Sequence, residues 1–551
     1  MSGEGWYQNA IIYAIDISVF QDSDGDGWGD FQGVIERLDY LCELGVTCLW
    51  LLPFYRSPDR DNGYDVADYY HVDERFGTLN DFERLVHEAG ERSIRVIMDL
   101  VVNHTSDEHP WFQASRRDAS SGFRDYYVWA DHPPPVAPGH GPMFPGQENT
   151  VWTYDEVAQA FYFHRFYAFE PGLKIANPEV QHEIHRVMDF WLSFPISGFR
   201  IDSASHMIED KGGEEDTEPE NPHDVLKRMR EIVDRRRPGA VLLGESDVTP
   251  PQLAAYFGDD DELNMLFNFL LDAYLFLALA SQDAAPMLQV LKQLPSIPEK
   301  AQWANFLRNL DELDLERLSG EERESVFRAF APEPEMRIYA RGIRRRLAPM
   351  LGGDRKRIEL AFSLLFSMPG APVVVYGDEI GMGDDLSLEG RNSVRTPMQW
   401  SAERNAGFSI AEPDSLRRPV PSGGEFGREK VNVEAQQADP DSLLSWMKGL
   451  IAARRACPEI GLGERYPLST EVKSVFAHVF DYRGDVIALA HNLGEEACTV
   501  TLDLSGQAAG ELENVFGSGV ECTGEGEGRY RLEMAPFAYQ WFRFGRREGG
   551  L

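Results

Sequence analysis

Four stretches of this 551-residue chain end in residues that can do chemistry. They are Asp99-Leu100-Val101-Val102-Asn103-His104, Gly198-Phe199-Arg200-Ile201-Asp202, Gly244-Glu245 and Arg308-Asn309-Leu310-Asp311. In the first three, apolar residues suited to a buried strand run into a polar exit, and the fourth follows another apolar run. One charged strand end is costly unless paired or used, and Arg200 with Asp202 reads equally well as an ion pair that braces a loop. Three carboxylates at three such ends carry more. Two on neighbouring strands suit glycoside cleavage: one attacks the anomeric carbon, the other protonates the leaving oxygen and then activates the acceptor. Arg200, two residues before Asp202, shares its face and would keep it ionised. Glu245 would need a raised pKa to serve as the acid.

The elements that would gather these ends recur along the chain. Apolar strand candidates lie at 10–16, 46–52, 94–102, 196–202, 240–245, 264–269, 303–307 and 372–376, with helical stretches between them. Eight strands alternating with helices imply an α/β fold, a closed (β/α)8 TIM barrel, whose reactive groups sit at the C-terminal strand ends. The barrel is expected over 1–102 and 181–460. The stretch 103–180, rich in Pro, Gly and aromatics, is too long for a loop and is read as an inserted domain after strand three. A second insertion is expected at about 381–440. From 461 to 551, short alternating strands predict a C-terminal antiparallel β-sandwich.

Composition narrows the partners. Lys and Arg total 53 and Asp and Glu 91, a formal charge of −38. Nucleic acid and anionic membrane would be repelled, whereas a neutral sugar would not. Hydrophobic residues make up 43% and no apolar run reaches membrane-spanning length, so a soluble globular protein is expected. Five scattered cysteines, without a CxxC or Cys/His cluster, argue against zinc and a disulfide framework. The start shows no secretory signal, and a cytoplasmic location is expected. The oligomeric state is left open.

Asp22-Ser23-Asp24-Gly25-Asp26-Gly27-Trp28-Gly29-Asp30 places carboxylates at alternate positions with glycines that allow a tight curl. Such oxygens can converge on a calcium ion. Position 12 of an EF-hand would be Gly33, so a calcium loop of another kind is expected. No organic cofactor is indicated.

Taken in order and spacing, the four strand-end motifs resemble the α-amylase superfamily, glycoside hydrolase family 13. Residues 343–351, 376–384, 394–400 and 431–437 are similar to its trehalose synthase branch. The resemblance implies Asp202 as nucleophile, Glu245 as acid/base and Asp311 as transition-state stabiliser. It implies Arg200, Tyr64, Asp65, His104 and Arg395 as substrate-side contacts. It assigns Asp22, Asp24, Asp26, Asp30 and the Trp28 carbonyl to one calcium site and Asn103 to a second.

The chain departs from the family pattern in places. Leu310 stands where relatives carry a histidine that bonds sugar hydroxyls beside the stabilising aspartate. Gly172 and Lys174 replace the Asp and Asn of an Asp-Leu-Asn stretch, and Asn392 replaces an aspartate. The implied function is double displacement on a small α-glucoside, by glucosyl transfer or maltose/trehalose isomerisation. The alternatives are an α-glucosidase or transglucosidase with another acceptor, and a carbohydrate-binding protein with weakened catalysis.

Overall fold

The computed structural model describes residues 5–136, 140–209, 211, 221–506 and 512–544. The acidic stretch 210–221 lies outside them except for Lys211 and Asn221.

Eight short strands are β1 (Ile12–Ile15), β2 (Cys48–Leu51), β3 (Arg95–Leu100), β4 (Gly198–Ile201), β5 (Val241–Gly244), β6 (Met265–Phe267), β7 (Gln302–Asn305) and β8 (Ala371–Val375). They close into a parallel barrel in the order β1-β8-β7-β6-β5-β4-β3-β2. All eight expected strands are present; six are trimmed at both ends, while β7 and β8 begin one residue earlier than expected and end sooner. Apolar side chains fill both faces because helices cover the barrel outside and side chains fill it inside. Gly198 has φ 141°, and a Cβ there would lie 2.1 Å from the Val241 carbonyl oxygen. Glycine thus lets β4 approach β5 and carries Asp202 and Glu245 to adjoining exits.

The region between β3 and β4 holds a three-stranded antiparallel sheet of Trp129–Ala130, Ala160–Phe163 and Trp152–Asp155. It is tied to the barrel where Leu173 N–H donates to the Asn103 carbonyl, 3.0 Å. After β7 a smaller sheet joins Leu313–Asp314, Gly342–Ile343 and Arg337–Ile338. The two meet over the barrel mouth: Phe144 and Phe166 pack with Ile338 and Tyr339, and Arg341 Nη2 donates to the Met143 carbonyl, 3.1 Å.

The C-terminal strands are β9 (Glu464–Leu468), β10 (Val475–Tyr482), β11 (Asp485–Asn492), β12 (Cys498–Asp503), β13 (Leu512–Gly526) and β14 (Arg529–Phe544). Their order is β9-β10-β11-β14-β12, with β13 on β14, and all are antiparallel. The expected sandwich is therefore one continuously bonded sheet. The first part of β14 pairs with β12 and the last part with β11, while β13 follows it throughout with shifts of register. Those irregularities bend the long pair around a separate apolar core. No helix among the described residues is long and apolar enough to cross a membrane.

Candidate active site

Arg200 is the centre of the barrel floor. Its guanidinium is buried, and Nη1 donates to Asp99 Oδ1 at 2.7 Å and to Asp202 Oδ1 at 2.6 Å. Nη2 lies 2.6 Å from Glu245 Oε2. One cation thus orients three carboxylates at the exits of β3, β4 and β5, a spread of donors that the guanidinium of arginine provides and the ammonium of lysine does not. Burial pushes the Asp99 carboxyl up to about 7 despite Arg200; it also accepts from Trp50 Nε1 and the Tyr64 hydroxyl.

Ser203 follows Asp202 in a left-handed conformation, φ 46°. That turn aims its N–H at Glu245 Oε2, 3.1 Å, while Asn309 Nδ2 donates to Oε1, 3.2 Å. A serine has no side-chain reason to sit there; strain of this kind persists where surroundings impose it, often at functional sites.

Asp311 enters from the loop after β7. Its Oδ1 accepts from Arg395 Nε, 2.5 Å, and its Oδ2 from Arg391 Nη1, 3.0 Å. Burial opposes its charge, yet Arg395 and Arg391 hold it well below the usual carboxylate range. Arg391 also donates to Asp61 Oδ1, 2.7 Å, and lies over the Phe144 ring. Asp202, Glu245, Asp311, Arg200, Tyr64, His104, Leu310, Asp61 and Arg391 all line one pocket. Leu310 is 5% exposed and gives that pocket an apolar face beside Asp311. His104 is buried and neutral, its pKa pushed down to about 4 by burial.

Asp65 is placed elsewhere. It accepts from Ser57 Oγ and from the backbone N–H of Arg60 and Asp61, so it ties the 57–65 turn and does not line the pocket. Asn62 and Gly63, with φ 55° and 92°, reverse the chain between the two aspartates. Asp61 faces the pocket instead. Arg395 stands behind Asp311 and is not part of the lining.

Asn103 faces a cation of the chain itself. Lys211 Nζ donates to the Asn103 carbonyl, 3.0 Å, to Asn103 Oδ1, 2.8 Å, and to the Leu173 carbonyl, 2.9 Å. An ammonium sits where a cation was expected, and it already uses the oxygens that would ligate one. Gly172 supplies no carboxylate there, and burial pushes Lys211 down to about 7. Lys174 is half-buried, its N–H on the Tyr126 carbonyl. The Asn392 amide oxygen is buried without a hydrogen bond.

In the acidic loop, carboxylate oxygens of Asp22, Asp24 and Asp30 lie within 4.8 Å of one another. Three hard oxygen donors at that spacing fit a calcium ion. Asp26 is outside this group and accepts from the Trp28 N–H. The Trp28 ring is held between Arg75 and Arg417, each 4.4 Å from its centroid.

Residues 15–324 and 344–462 match the family model of the alpha-amylase catalytic domain. The chain is 44% identical to trehalose synthase of Thermus thermophilus over 98% of its own length, and spans 55% of that protein. It is 42% identical to trehalose synthase/amylase TreS of Mycobacterium tuberculosis, covering 99% of this chain and 91% of that one. Among solved structures, an alpha-amylase from H. orenii superposes with a TM-score of 0.78 at 27% identity, covering 97% of this chain and 99% of that one.

Proposed function

The chain belongs to the alpha-amylase catalytic-domain family, and from that membership we propose that it is a retaining α-glucoside enzyme that transfers or isomerises one glucosyl unit. Trehalose synthases serve as the functional model, with maltose and trehalose as the small-glucoside pair. Asp202 attacks the anomeric carbon and forms a β-glucosyl ester. Glu245 protonates the departing sugar oxygen, then takes a proton from the incoming hydroxyl, and the second displacement returns the α-configuration. Asp311 meets the positive charge that develops on the ring.

The observation that carries this is the sharing of one guanidinium by Asp202 and Glu245. Retention needs the nucleophile and the acid/base on either side of one bond, with carboxyl groups roughly 5–5.5 Å apart, and one shared guanidinium keeps the two together at the pocket floor. The pocket floor supports a single sugar ring. Asp61, Arg391 and Asp311 form a continuous polar wall, with Tyr64 and His104 beside it. A longer chain would have to break the Asp61–Arg391 pair to pass.

The Arg341 link to Met143 and the Phe144–Tyr339 contact roof the pocket. Covering the pocket in this way would favour a sugar acceptor over water as the group that intercepts the ester. Calcium would be held by Asp22, Asp24 and Asp30 and would brace the loop beside the 409–418 segment, where Ser409 Oγ bonds Asp22 at 2.6 Å. No step of transfer passes through it. All five cysteines are free thiols, which suits a cytoplasmic setting.

The test is maltose followed by product analysis by NMR. Trehalose as the main early product supports isomerisation. Glucose alone would replace it with hydrolysis, and a β-configured product would reject retention.

A further inference from the structure

Asp311 sits at the centre of an alternating row of charges. Asp61 and Arg391 lie on its pocket side, Arg395 and Asp16 behind it. Arg395 Nε reaches Asp311, Nη1 faces Asp16 Oδ2 at 3.4 Å, and Nη2 is buried without a hydrogen bond. A guanidinium ordinarily grips a carboxylate with two parallel N–H groups. Here only one tooth meets Asp311.

Asp16 lies at the exit of β1 and is 5% exposed. Its Oδ1 is fixed by Ser18 N–H, 3.1 Å, and the Ser18 hydroxyl. Arg418 and Arg417 approach it at 3.6 and 3.9 Å, and Arg418 Nη1 donates to the Arg395 carbonyl, 3.1 Å. One carboxylate therefore holds both the side chain of Arg395 and the segment behind its backbone.

We propose that Asp16 is a positioning residue for Asp311: it draws Arg395 back from a two-toothed grip, so that Asp311 keeps acceptor capacity for sugar hydroxyls as charge develops on the ring. The inference rests on the function proposed above. Burial works against the Asp16 charge, but Arg417, Arg395 and Arg418 together hold its carboxyl below the usual range, so it stays ionised in the working enzyme. Without it, Arg395 would turn Nη2 onto Asp311 and over-bind it in the ground state. An interaction that must strengthen in the transition state would then already be spent.

The test compares the wild type, Asp16→Asn and the charge-balanced Asp16→Asn/Arg418→Gln, using the α-glucoside that the wild type turns over best. Labelling of Asp202 by 5-fluoro-α-glucosyl fluoride gives a second readout. Both variants should lose about tenfold or more in kcat with KM within about twofold, and label more slowly by a similar factor. Wild-type kcat in the folded single variant, or in the double variant, would overturn the inference, because Asp16 would then only balance charge. If the single variant fails to fold, the double variant decides. A wild type that neither turns over nor labels rejects the functional proposal itself; a wild type that does both beside unchanged variants rejects this inference alone.

Discussion

Arg200 and Glu245 are joined directly, Nη2 to Oε2 at 2.6 Å, while the other Nη of the same guanidinium serves Asp202 and Asp99. The nucleophile and the acid/base of the proposed reaction are thus set relative to each other by one side chain. Lysine has a single ammonium and cannot span them. Arg200→Lys should lower kcat by about 100-fold or more, with a smaller change in KM, read by steady-state kinetics. Retained kcat would mean that the backbone alone aligns the two carboxylates.

Asp99 makes a pH prediction. Its folded pKa is raised by burial to about 7, above the ordinary aspartate value. The folded state then holds a proton between roughly pH 4 and 7 that the unfolded state has released. The contribution is fully present below about pH 4 and is lost as pH rises through about 7. Asp99→Asn keeps the shape without the charge. Urea melts should show the wild type losing stability relative to this variant across that window, with no further divergence above it.

Leu310 gives the pocket an apolar face where a sugar hydroxyl finds no partner. Leu310→His adds a donor beside Asp311 and Asn309. One added charge-assisted bond made in the transition state should raise kcat/KM on the best glucoside by about tenfold. A loss of activity would mean that the −1 sugar, the ring over Asp202, needs the apolar wall.

Chelation separates the two expected ion sites. Thermal melting should shift down with EDTA and recover with calcium, and Asp24→Asn should abolish the response. Asn103→Ala should leave the response in place, because Lys211 occupies the Asn103 position. Loss of the response in Asn103→Ala would restore an ion there.

The barrel was legible because its eight strands are apolar runs bounded by polar exits, and the exits carry the chemistry. Asp202, Glu245 and Asp311 could be placed for that reason. Asp61 could not, because only the left-handed turn at Asn62 and Gly63 decides which aspartate of 61 and 65 faces inward. Arg391 meets Asp61 from 330 residues away, a pairing that no local pattern records. Lys211 lies within an acidic stretch, where a single cation reads as surface charge. The Ser203 turn left no signal, since serine tolerates most conformations poorly suited to it only when neighbours impose them.

The central claim is that Asp202 carries a glucosyl group through the reaction. The most direct measurement is mass spectrometry of the peptide bearing Asp202 after treatment with 5-fluoro-α-glucosyl fluoride. The account predicts one added fluoroglucosyl mass on Asp202, lost again when maltose or glucose is supplied as acceptor, and no label in Asp202→Asn. A turning-over enzyme that acquires no label, or acquires it on another residue, would contradict it.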